Sequence, residues 1–82
     1  MAARAKEQVL SFLASHGPAD ALIVADALGY ETRGGAGSTL LRLHRHGHLR
    51  RRPTESGYLY SVSDKGTRWL EYMEDTGQRG PV

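Results

Sequence analysis

Apolar residues recur at spacings of three and four in four stretches of the chain and alternate in one, which predicts four helices and a β-hairpin. In the first stretch Ala5, Val9, Phe12, Leu13 and His16 share a stripe, while Arg4, Glu7, Gln8 and Ser11 fall elsewhere, so a helix is expected over Ala3–Ser15. Gly17-Pro18 ends it, because glycine accepts left-handed backbone and proline disfavours helical geometry in the residue before it. Asp20 is placed to cap a short second helix with Ala21, Val24, Ala25 and Leu28 inward and Gly29 at its end. Leu22 and Ile23 exceed the needs of one stripe; packing beneath the third helix is favoured over contact with a second subunit.

Tyr30–Gly35 reads as a turn, followed by a third helix over about residues 35–46. At 100° per residue, Leu40 and Leu43 fall within about 40° of Ala36 and make a narrow core seam. Gly34, Ser38, Arg42 and Arg45 lie within about 60° of the opposite direction, with Leu41 beside them. Gly34, Gly35 and Gly37 each weaken a helix by ~1 kcal/mol relative to alanine, so a frayed or late start is expected. Two readings of these glycines stand side by side: a flexible turn, with the helix starting near Ala36 or Gly37, or a bare helix start that lets backbone amides approach a phosphate.

Gly47 closes that helix, and HLRRRP reads as a strand with Leu49 inward. Thr54–Gly57 supplies the turn, with positive φ expected at Gly57. In the return strand Tyr58, Tyr60 and Val62 share one face and Leu59, Ser61 and Ser63 the other. Tyr60 and Val62 are expected in the core and Tyr58 near the tip. Ser63 or Asp64 then caps a last helix to about Asp75, with Gly66, Trp69, Leu70 and Met73 on one face. The fold class is therefore mostly α with a two-stranded β-hairpin, as one domain over residues 1–75 and a disordered tail over 76–82.

Charge changes this picture. The net charge is only +2, yet Arg33 to Pro53 holds six arginines and three histidines and no Asp or Glu, while both flanks are mildly acidic. A segment of that sign calls for a polyanion, and a helix followed by a basic hairpin suits DNA, whose major groove admits a helix between rims of phosphate. A merely solvated face explains the run less well, since self-repulsion opposes folding.

Other chemistries find little support. At 82 residues one domain buries roughly 60–65% of its unfolded surface, near the lower limit for an independent core, so self-association would help. Cysteine is absent, which removes disulfides and thiolate metal sites. His44 and His46 stand about 200° apart on a helix and cannot converge on a metal; they and His48 are expected as neutral hydrogen-bonding or phosphate-facing groups. GAGS at 35–38 lacks the lysine and preceding strand of a phosphate loop, and nothing organises a nucleophile and base, so neither cofactor nor enzyme activity is expected. Trp69, Tyr72 and Met73 at helical spacing suit core or a dimer seam better than a ligand pocket. No segment is long enough to cross a bilayer, and the VLSFLA run is better explained by helical periodicity than as a leader, so a soluble cytoplasmic protein is expected.

Three local patterns, in this order, carry a resemblance: Val24-Ala25-Asp26-Ala27-Leu28-Gly29, then Leu40-Leu41-Arg42-Leu43-His44-Arg45-His46-Gly47-His48-Leu49-Arg50-Arg51, then Tyr60-Ser61-Val62-Ser63-Asp64-Lys65-Gly66. Over roughly residues 5–75 the chain resembles the winged helix-turn-helix domains of prokaryotic transcription regulators, particularly the MarR-like, PadR-like and ArsR-like groups. The resemblance implies a homodimeric regulator of double-stranded DNA. Its recognition helix would use Ser38, Thr39, Arg42 and Arg45 in the major groove, and Arg50, Arg51 and Arg52 in a wing over about 48–62 would meet the backbone or minor groove. Arg33 joins this set, and the arginines are expected to form one continuous cationic surface. The chain departs from the pattern in opening the recognition helix with glycines, and it lacks the long extra helices of MarR-like dimers, which leaves the terminal helices or the wing for a dimer contact. A winged helix docking an acidic protein partner is the alternative. RNA or single-strand binding is disfavoured by tyrosines on the core face of the wing.

Overall fold

A computed structural model describes residues 2–73, with side chains from Ala5 onward. The elements follow the expected order: α1 (Ala2–His16), α2 (Ala21–Leu28), α3 (Arg33–Arg45), β1 (Leu49–Thr54), β2 (Gly57–Val62) and α4 (Asp64–Tyr72). The fold is mostly helical with one antiparallel two-stranded hairpin, a winged-helix-like topology. Asp75 and the proposed tail, 76–82, lie outside the described residues. No helix among the described residues is long and apolar enough to cross a membrane.

Capping residues set the helix boundaries. The Asp20 carboxylate accepts from the Ile23 amide at 2.9 Å to begin α2, as expected for an N-cap. Where α3 begins, the expectation fails: the helix opens at Arg33, not at residue 35 or later, because Thr32 in extended backbone accepts from the Gly35 amide at 3.0 Å. The cap is worth about 1 kcal/mol, roughly what one of the three glycines costs, and Thr39 donates to the Gly35 carbonyl at 3.3 Å. Gly47, at φ +85°, reverses the chain after α3, a backbone region costly for any other residue. Lys65 donates to the His46 carbonyl at 2.8 Å, which puts a cation at the negative end of α3.

The core joins Val9, Leu10 and Leu13 of α1 to Val24 and Ala25 of α2, Ala36, Leu40 and Leu43 of α3, and Leu49 and Tyr60 of the hairpin. Leu10, absent from the expected stripe, is fully buried, because α1 is flanked by α2, α3, β2 and α4 and so is covered on more than one side. His16, which shares that stripe by spacing, is exposed and stacks on Phe12 at a centroid distance of 4.9 Å. Leu22 and Ile23 do not pack beneath α3; they are 59% and 39% exposed. Val24 faces the core, and at 100° per residue these two point roughly 160° and 100° away from it.

The hairpin register pairs Leu49 with Val62, Arg51 with Tyr60 and Thr54 with Gly57. Gly57 has φ +145°, the positive value expected at the turn. A feature not anticipated is a one-residue third strand: the Ala19 amide donates to the Tyr60 carbonyl at 3.0 Å and the Tyr60 amide to the Ala19 carbonyl at 2.8 Å. Both backbone groups of Tyr60 therefore point away from β1, making Arg51 and Tyr60 a pair without mutual hydrogen bonds. This bridge anchors the hairpin to the α1–α2 turn and sets its position relative to α3.

Candidate nucleic-acid interface

The core seam of α3 decides what the helix shows to solvent. With Ala36, Leu40 and Leu43 buried, Ser38, Arg42 and Arg45 are exposed on the far side. Thr39 is half-buried and its hydroxyl is engaged by the Gly35 carbonyl, so it stands apart from that face. His44 turns toward the hairpin: its Nδ1 donates to the Leu49 carbonyl at 3.1 Å, and its ring meets the Tyr60 ring edge-on at 6.4 Å. This bond ties the last turn of α3 to the first residue of β1.

Strand alternation divides the three consecutive arginines, correcting the expectation of one continuous surface. Leu49 faces the core, so Arg51, two residues on, projects from the same side as Tyr58 and Tyr60, and its guanidinium carbon sits 4.0 Å above the centre of the Tyr58 ring. Arg50 and Arg52 project from the opposite side with their register partners Ser61 and Leu59. Arg33 lies elsewhere again. It lines a groove of about 350 Å³ between the starts of α2 and α3 and the hairpin tip, bordered by Leu22, Gly37 and Tyr58. The geometry thus yields an α3 side, bearing Ser38, Arg42 and Arg45 with Arg33 and Arg51 near the groove and wing, and a separate rear side of the hairpin bearing Arg50 and Arg52.

The cations are largely unneutralised. Among the described residues one ion pair forms, Arg50 to Asp64 at 3.6 Å, and both side chains are mostly exposed, which makes its contribution about 0–1 kcal/mol. No described carboxylate comes within 4.0 Å of Arg33, Arg42, Arg45, Arg51 or Arg52.

His48 was expected as a hydrogen-bonding or phosphate-facing group; it is instead buried, with its ring edge-on to Trp69 at 6.4 Å and no described partner for Nδ1. Burial holds its pKa below the ordinary histidine value, and the nearby charges of Lys6, Lys65 and His46 lower it further. Lys6 lies over the Trp69 ring at 4.3 Å and is itself lowered by burial and by Lys65. Among the described residues no three His, Cys, Asp or Glu side chains converge as a metal site would require.

Four residues that meet the arginines lie outside the site set read from the sequence: Tyr58, Asp64 and the register partners Leu59 and Ser61. The signal for Tyr58 and Leu59 was available, since period-two alternation from an inward Leu49 already assigns Arg51 to the tyrosine face. Asp64 required knowledge of how α4 docks. Comparison with protein-family models, curated proteins and solved structures returned no match.

Proposed function

We propose that this domain binds double-stranded DNA and acts as a sequence-specific transcription regulator. In this reading α3 enters the major groove, Ser38, Arg42 and Arg45 meet base edges and phosphates, and Arg51 and Arg33 grip the flanking backbone. The observation that carries it is the unneutralised set Arg33, Arg42, Arg45 and Arg51 on and around one helix whose inner seam is fully committed to the core. Guanidinium groups left without carboxylates keep their charge available for phosphate, and each phosphate neutralised releases counterion. A homodimer through the terminal helices would present two such helices to a two-fold operator.

One observation favours a second reading. Leu22 and Tyr58 leave apolar surface around the Arg33 groove, and Ile23 is exposed next to Leu22 in sequence, which suits an acidic protein partner with apolar anchors. Titrating the chain with random and selected duplexes over a range of salt separates the two. With Arg42 on base edges, phosphate contacts by Arg33, Arg45 and Arg51 predict a slope of log affinity against log salt of about −3 for each bound chain. Absence of duplex binding at low salt would remove the DNA reading, and light scattering of the complex tests the dimer.

A further inference from the structure

The rear side of the hairpin is a concave surface that the α3 contact does not use. A groove of about 290 Å³ runs along it, lined by Pro18, Leu59, Ser61 and the strand from Arg50 to Arg52. Arg52 has no described carboxylate within 4.0 Å, and Arg50 has only the exposed Asp64. We propose that this groove is a second phosphodiester-binding site, which takes the backbone of a second DNA segment while α3 holds the first. The proposal rests on the DNA reading above.

Three features carry it. Arg50 and Arg52, two residues apart on one face of a strand, are separated by ~7 Å, the scale of neighbouring phosphates along one nucleic-acid strand. Opposite them on β2 stand Ser61, whose hydroxyl can donate, and the apolar Leu59, and Pro18 completes the lining, a surface suited to the C–H faces of sugars. No aromatic ring lines the groove, so unstacked bases find no platform there and a duplex backbone fits better than a single strand.

Position argues that the occupant is a different segment from the one on α3. Arg50 projects from the side opposite Arg51, and it is four residues short of Thr54, the end of β1. That distance is ~13 Å along the strand, so phosphates gripped on the α3 side lie beyond an arginine's reach around the tip, and the first-duplex arm of the test below reads whether Arg50 meets them across the open edge of β1. Pro18 of the α1–α2 turn lines the groove, and Asp64 at the start of α4 lies 3.6 Å from Arg50. One domain would therefore hold two backbones on two sides of a single hairpin.

The test uses the full chain at low salt. A duplex carrying a selected site is immobilised and saturated with protein, and a labelled random duplex is then offered in solution. Wild type should capture the second duplex, with capture weakening roughly three- to fourfold per doubling of salt, as two phosphate contacts require. The double variant R50A/R52A, which changes only surface side chains, should bind the first duplex within twofold of wild type and capture the second at least tenfold less well. Undiminished capture by that variant would overturn the proposal, since a dimer using its other α3 would then suffice. A comparable loss of affinity for the first duplex would overturn it too, by assigning the rear pair to the same contact. If no duplex binds in any arm, the DNA reading itself has failed.

Discussion

The Ser63 hydroxyl donates a 2.6 Å hydrogen bond to the Gly47 carbonyl while accepting one from the Gly66 amide at 3.1 Å. A single side chain thus joins the turn that ends α3 to the cap that starts α4, and its own amide adds a bond to the His48 carbonyl at 3.1 Å. Ser63→Ala should cost about 1–3 kcal/mol, combining a lost cap with an unmet carbonyl. The urea midpoint should fall with an unchanged slope. Ser63→Asp should recover part of the loss, because a carboxylate can cap the helix but cannot donate to Gly47.

Glycine substitutions should act in opposite directions in two helices. A Cβ at Gly66 would collide with the His48 carbonyl oxygen and crowd the Val62 side chain at 2.9 Å. Gly66→Ala should therefore destabilise by at least ~2 kcal/mol, since the main obstacle is backbone. At Gly34 the nearest atom to a Cβ is Thr32 Oγ1 at 3.8 Å, ordinary contact. Gly34→Ala should stabilise by up to ~1 kcal/mol through helix propensity. Thermal melts of the two variants check both signs.

Stability should fall in mild acid. Burial, with Lys6 of α1, Lys65 of α4 and His46 of the α3–β1 turn, lowers the folded-state pKa of His48, so the unfolded chain takes up the proton first as pH drops. The contribution is fully present above the unfolded value of about 6.5 and is lost as pH falls from there toward the lowered folded value, at no more than about 1.4 kcal/mol per pH unit. Urea midpoints should be higher at pH 7.5 than at pH 5.5. His48→Leu should flatten the difference, and Lys6→Met should reduce it.

Loss of Arg42 and loss of Arg51 should separate base reading from backbone grip. Arg42→Ala should lower affinity for a selected site more than for random duplex, by about 1–3 kcal/mol of discrimination. Arg51→Ala should weaken all duplexes alike and reduce the salt slope by about one unit. Equal binding by wild type and both variants would refute the placement of α3 in the groove.

Much of the fold was legible because its punctuation is local. Asp20, Gly29, Gly47 and the capping bond of Ser63 act on residues three or four positions away, so that chemistry can be read directly from sequence, whereas the Ser63 bond to Gly47 spans sixteen residues. What escaped depends on distant partners or on one rule outweighing another. The Ala19–Tyr60 bridge is a single residue long and has no periodicity. At the start of α3 the propensity penalty of Gly34 and Gly35 pointed to a late helix, whereas the Thr32 cap decided the outcome. Hydrophobicity alone puts Leu22 and Ile23 in the interior, but the helical angle turns them outward. The arginine cluster was visible as charge, but its division into two sides required following the alternation from Leu49 through Arg52.

The Ala19–Tyr60 bridge has a consequence for self-assembly. It covers the outer edge of β2 at that point, leaving β1 as the open edge of the described sheet, where another chain's strand could add and seed aggregation. That edge carries Arg50, Arg51 and Arg52, whose like charges repel an identical neighbour, and Pro53, which lacks the amide needed to continue a ladder. The same guanidinium groups proposed to attract a polyanion thus also guard the exposed strand against stacking with copies of itself.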